Sequence, residues 1–246
     1  MSDIARDVDD KALELVFAEA RNYALLTADE ERTIDQSKWL VLEHLQQLFI
    51  ADDGCRSYIR LWARNVMANP PTLESFENRE IYNLLRREQV GLLKNGGQYK
   101  ALIEFNQSLA KPCLRLRDDE AIAALQLPAA LVAGLAEVML EKAAALDSPP
   151  RGVAAALLLW HTFWTDMSDD LVVSISPEAR SAIRGHLCDY YAAREKLVNH
   201  NLRLVFSIAG RSVNRGVTYR DLIQNGVIGL IRAAEKFQSK KGFRFS

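Results

Sequence analysis

The sequence predicts an all-α fold: a helical bundle with a long helix and a helical hairpin at its C-terminal end, and an inserted helical module before them. Three observations carry this. Almost every segment repeats its apolar residues at helical spacing, and no stretch alternates over the length of a strand. Proline and glycine pairs stand between the periodic segments. The alanine-rich pieces "AALVAGLAEVMLEKAAAL" and "GVAAALLLWHTFW" have the small, apolar character of closely packed core helices.

Taken in order, a first helix is expected over residues 10–23. Thr27 is the natural N-cap of a second, because Glu30 three residues on completes a capping box. That helix should reach about Ile50 and break at Asp52-Asp53-Gly54. A third begins at Cys55 and stops before Asn69-Pro70-Pro71, since two adjacent prolines cannot continue a helix. Helices are then expected over about 74–93 and 98–109, with "KNGG" as the turn between them. Leu127-Pro128 and Asp147-Ser148-Pro149-Pro150 punctuate the chain beyond them, the second being the clearest linker-like break. Trp160 and Trp164, four residues apart, read as packing aromatics. From Ser176, an N-cap with Pro177 in the first turn, the helical pattern runs almost unbroken to about Val213. That is some 37 residues, or roughly 55 Å. After the turn "NRGVTY", Thr218 caps a last helix, "DLIQNGVIGLIRAAEKFQ", so the chain ends in a helical hairpin.

Composition narrows the function classes. At 49% hydrophobic and 26% charged residues over 246 positions, the chain reads as a globular protein. Its longest apolar run, residues 153–160, is less than half of what a membrane span requires. The acidic opening "MSDIARDVDD" is not the pattern of a secretory signal. Cys55, Cys113 and Cys188 are widely spaced, as expected of reduced thiols in a cytoplasmic protein. Charge is divided: from Ala192 to Ser246 eleven Lys and Arg oppose three acids, a tail of +8. The rest of a chain whose total is -1 therefore carries -9. Such a division suggests a nucleic-acid-facing end joined to an acidic body.

Placing residues 100° apart sorts the last helix into two faces. Ile223, Gly226, Val227, Leu230, Ala234 and Phe237 fall on the side that should pack on the preceding helix. Asp221, Gln224, Asn225, Ile228, Arg232 and Glu235 fall on the other, a polar rim around one aliphatic residue that suits a helix-binding surface. Beyond it, "FQSKKGFRFS" interleaves Phe237, Phe243 and Phe245 with Lys240, Lys241 and Arg244. Cations beside aromatic rings suit single-stranded nucleic acid; the alternative is a frayed basic end with two phenylalanines covering the hairpin. No catalytic, metal-binding or cofactor-binding motif is present: there is no P-loop, G-x-S-x-G or H-E-x-x-H, and no histidine pair at helical ligand spacing. An enzyme is not expected.

The stretch 192–246 resembles region 2 of the sigma-70 family of bacterial RNA polymerase sigma factors. "NLRLV", the pieces "DLIQ", "IGL", "RA" and "EKF", and "GF" before a final "FS" occur in the family's order and spacing. "YALLTADEE", residues 23–31, is similar to the family's region 1.2. The resemblance implies domains of 1–50 (region 1.2-like helices), 51–176 (an inserted helical module) and 177–246 (a partial region 2). It also implies a cytoplasmic, non-catalytic transcription initiation subunit without cofactor or metal.

The same resemblance implies two partners. RNA polymerase core would meet the Asp221, Gln224, Asn225, Ile228, Arg232 and Glu235 face through the β′ clamp helices. Asn225 stands where the family usually has glutamate and Val227 where it usually has asparagine, which implies weaker or altered core binding. Promoter DNA, chiefly the non-template single strand of the −10 element, would meet Asn201, Arg203, Leu204 and Ser207 at one pocket. Phe237, Lys240, Lys241, Phe243 and Arg244 would approach a second. The family continues past "FRFS" with further DNA-melting residues, so a chain ending at Ser246 is expected to be a fragment of a longer sigma factor. A second reading is a truncated sigma-like module that occupies polymerase core as a decoy or regulator.

Overall fold

The structure is a computed structural model describing residues 17–18, 20–76, 79–94, 96–109, 120, 122–143, 149–161, 174–213 and 216–245. Residues 10–16 of the expected first helix, Cys113, Asp147-Ser148 and Trp164 lie outside these residues, as do Asn214 and Arg215 of the expected hairpin turn. Among the described residues there is no strand, in agreement with the all-α expectation.

The helices are α1 (Ala28–Ala51), α2 (Asp53–Ala68), α3 (Arg79–Leu85), α4 (Gly91–Lys94), α5 (Gly96–Leu109), α6 (Ala129–Lys142) and α7 (Gly152–His161), followed by α8 (Pro177–His200), α9 (Leu202–Arg211) and α10 (Tyr219–Lys236). Short 3-10 turns span Leu73–Ser75 and Ser239–Lys241, and a π-helical turn, Arg86–Val90, joins α3 to α4. Two compact units are formed, Met1–Trp39 with Tyr191–Ser246 and Leu40–Tyr190.

The caps were written locally in the sequence. Thr27 N donates to Glu30 Oε2 at 2.8 Å and Glu30 N donates to Thr27 Oγ1 at 3.3 Å, the reciprocal capping box that starts α1. Asp52 caps α2 through Cys55 N at 2.9 Å, and Ser176 caps α8 through Ala179 N at 3.2 Å. Thr218 caps α10 through Asp221 N at 3.2 Å. Each removes an orphan donor of a helix N-terminus.

Three expectations need correction. In place of one helix over about 74–93, Leu73–Ser75 is a 3-10 turn, Phe76 is extended, α3 starts at Arg79 and Arg86–Val90 is π-helical. The helix from Pro177 does not run unbroken to Val213: it stops at His200 and a new one begins at Leu202. Asn201 is the cause. Its Nδ2 donates to the Leu197 carbonyl at 2.8 Å, the acceptor its own backbone N–H would use in a continuous helix. The displaced N–H donates to Val198 O instead, at 3.0 Å. An asparagine side chain that mimics the backbone ends one helix and opens the next. The last correction concerns "KNGG": Lys94 ends α4 and Gly96 and Gly97 lie in the first turn of α5, so these three are helical, while Asn95 lies outside the described residues.

In the Leu40–Tyr190 unit the core is built from Phe49, Tyr58, Ile59, Trp62, Phe105 and Trp160, all essentially buried. Trp160 fills the packing role expected of it and satisfies its indole N–H on Asn69 O at 3.0 Å. In the other unit, α9 packs on α10. Leu197, Leu202, Val205, Ala209, Ile223, Leu230 and Ala234 share one core with Leu26 and Ile34 of the N-terminal segment.

Candidate functional site

The site grows from α10, whose buried face and the N-terminal part of whose polar face fall where helical spacing put them. Ile223, Leu230 and Ala234 are buried, with Gly226, Val227 and Phe237 half-buried beside them. Asp221, Gln224, Asn225 and Ile228 are exposed, and Ile228 keeps 46% of its surface open to solvent among these polar neighbours. Asp221 also accepts from the Thr218 hydroxyl at 2.7 Å, so its carboxylate is anchored at the helix start.

The C-terminal end of this face closes. Arg232 is half-buried, and Glu235 pairs with Arg194 of α8 at 3.1 Å, both side chains mostly covered. The Arg194 guanidinium lies 4.5 Å from the Tyr191 ring centre. Glu235 therefore ties α10 to α8, while the open face runs from Asp221 to Ile228.

The residues expected to meet DNA divide in the same way. Asn201 is buried and its amide is committed to Leu197 O. Arg203 donates to Ala20 O at 3.3 Å and Arg21 O at 3.1 Å. Leu204 and Ser207 are exposed on α9, Ser207 accepting from Arg211 at 3.1 Å. Past α10, Phe237 packs edge-on against Phe245, ring centres 5.2 Å apart. Lys240 and Lys241 are exposed and Phe243 is 74% open. Arg244 reaches Leu26 O at 3.0 Å. The tail through Phe245 is thus folded back on its unit rather than frayed, and it presents one aromatic ring and two lysines outward.

What holds it there was not anticipated. Lys38 of α1, fully buried, lies 2.9 Å from Asp35 and donates to Ala234 O and Phe237 O, at 2.7 and 2.9 Å. Burial lowers the Lys38 ammonium from the usual lysine range, while Asp35 pulls it back up. Asp35 accepts from Ser239 N at 2.6 Å, and Glu31 from Phe245 N at 3.1 Å. One signal existed in the sequence: Lys38 interrupts the apolar series Ile34, Val41, Leu45, where a cation has no solvent to reach.

Elsewhere, burial pushes the Cys55 thiol well up from its usual value, which makes it a poor nucleophile. His44 and His186 meet with ring centres 5.3 Å apart, and burial first, then His44, holds the His186 imidazole down. Among the described residues no three His, Cys, Asp or Glu side chains are arranged to hold a metal, and no helix is long and apolar enough to cross a membrane.

The family match falls on this part of the chain. Residues 197–246 match the family model for Sigma-70 region 2. The chain is 54% identical over 71 residues to the RNA polymerase sigma factor SigA of Microcystis aeruginosa, covering 29% of this chain and 17% of that protein. It is 62% identical over 55 residues to SigA of Clostridium acetobutylicum, covering 22% and 15%. With sigA of Arabidopsis thaliana it shares 47% over 78 residues, covering 32% and 15%. The matched stretch is thus a small part of each relative's length.

Proposed function

Because this chain belongs to the sigma-70 family, we propose that it acts in transcription initiation as a non-catalytic, cytoplasmic subunit of RNA polymerase. In this reading the open face of α10, Asp221 through Ile228, docks on the β′ clamp helices of polymerase core, with Arg232 at its edge. Leu204 and Ser207 on α9 and Lys240, Lys241 and Phe243 beyond α10 face the non-template strand of the −10 element. Asn201, Arg203, Phe237, Glu235 and Arg244 act from behind, by holding α9, α10 and the tail in place. Residues 1–50 serve as region 1.2-like helices and 51–176 as a helical insertion ahead of region 2 (177–246).

The observation that supports this most is an exposed isoleucine ringed by polar side chains on a helix inside the region 2 match. A coiled-coil partner can cover Ile228 and hydrogen-bond the rim, whereas a helix of purely solvated function gains nothing from it. Titration against an isolated β′ clamp-helix peptide tests the reading. Binding by the wild-type chain that Ile228→Glu weakens is expected; equal binding by both would refute the assignment of the face.

A further inference from the structure

We infer that Glu31, Asp35 and Lys38 form a bolt that fixes the conformation of residues 237–245 and thereby sets the affinity of this segment for single-stranded DNA. The inference deepens the proposed function and rests on its reading of the tail as a strand-facing element.

The three side chains lie at i, i+4 and i+7 on α1, one face of one helix. Each grips the segment at a different point. Lys38 takes the carbonyls of Ala234 and Phe237, which the end of α10 leaves without helical partners. Asp35 Oδ1 lies 2.9 Å from the ammonium and pairs with its charge. Asp35 turns its other oxygen to Ser239 N, and Glu31 holds Phe245 N. The Trp39 indole adds a second donor to Phe237 O at 2.9 Å.

Between the grips the chain turns through Gly242, at φ +80°, a conformation suited to glycine. Lys240, Lys241 and Phe243 are left outside, while Phe245 returns inward onto Phe237. The bolt touches none of these three groups; its Glu31 also lies 3.5 Å from the exposed Arg244. It acts on the three through backbone position, and its members are positioning residues.

The chemistry is wrong for a device that only stabilises. A cation and a carboxylate taken fully out of water gain little over an apolar pair of similar size. Directional bonds to named backbone atoms are what an apolar pair cannot supply. A buried ion pair here specifies where the segment lies.

The test uses the 246-residue chain, with amide exchange at Ser239 and Phe245 and anisotropy of a fluorescein-labelled oligo-dT strand. Lys38→Met is expected to speed exchange at both amides and to weaken strand binding by roughly five- to tenfold. Asp35→Ala with Lys38→Met leaves neither of these two charges buried and is expected to recover thermal stability without recovering binding. Lys240→Ala with Lys241→Ala should weaken binding with both amides still protected. Unchanged exchange in Lys38→Met overturns the bolt. So does strand binding that recovers together with stability, or that stays at the wild-type level once the amides have opened. A wild-type chain that fails to bind the strand at all overturns the single-strand reading and the bolt's role with it, and that result is visible before any variant is made.

Discussion

Gly226 of α10 sits against Val205 of α9 so closely that a methyl group built on its Cα would lie 2.5 Å from the valine Cγ1. Val205 is buried and its branched side chain is stiff, so it cannot step aside. Gly229, three residues on, meets nothing within 4 Å. The two glycines therefore serve different ends, one letting two helices meet and the other leaving an outer surface smooth.

Gly226→Ala should destabilise the protein by about 1–2 kcal/mol, because overpacking outweighs the gain in helix propensity. Gly229→Ala should stabilise it by about 0.5–1 kcal/mol while weakening clamp-helix binding, since it raises a methyl beside Ile228. Urea unfolding of the two variants checks the first contrast, and opposite signs are the expected outcome.

Asp52 predicts a pH dependence. Although burial opposes it, hydrogen bonds from Cys55 N and Ser176 N hold its carboxyl below the ordinary 3.8. A depressed carboxylate adds stability that is fully present above the unfolded value and is lost as pH falls through the folded one. Asp52→Ala should therefore cost about 1–2 kcal/mol near neutral pH, with the gap to wild type narrowing well below 3.8. Thermal melts across that range provide the measurement.

What could be read from sequence was what the chain settles within a few residues. Thr27 with Glu30, Ser176 with Ala179 and Thr218 with Asp221 are local pairings, visible as spacing. The buried face of α10 and the open stretch from Asp221 to Ile228 follow from periodicity; the covering of Arg232 and Glu235 does not. Asn201 was missed because helical period continues through it; only the competition of its amide for Leu197 O reveals the break. Lys38 and Glu235 were missed as structural groups because their partners, Ala234 and Arg194, lie 196 and 41 residues away. A charge reads as solvated until the fold brings a partner to it.

The outward lysines make a salt-dependence prediction. If Lys240 and Lys241 each neutralise one phosphate, replacing both with alanine should reduce the slope of log affinity against log salt by about 1.4 for a single strand. Titrations of oligo-dT at several salt concentrations read this directly, and an unchanged slope would remove the tail from the phosphate path.

Docking of the open face of α10 on polymerase core makes Ile228 the residue to substitute. Its most direct test is titration of the chain and of Ile228→Glu against the β′ clamp-helix peptide, with circular dichroism of both proteins in parallel. Docking through this face requires intact helicity and an affinity lowered on the order of tenfold to a hundredfold by the substitution. Equal affinity in two equally helical proteins would contradict it.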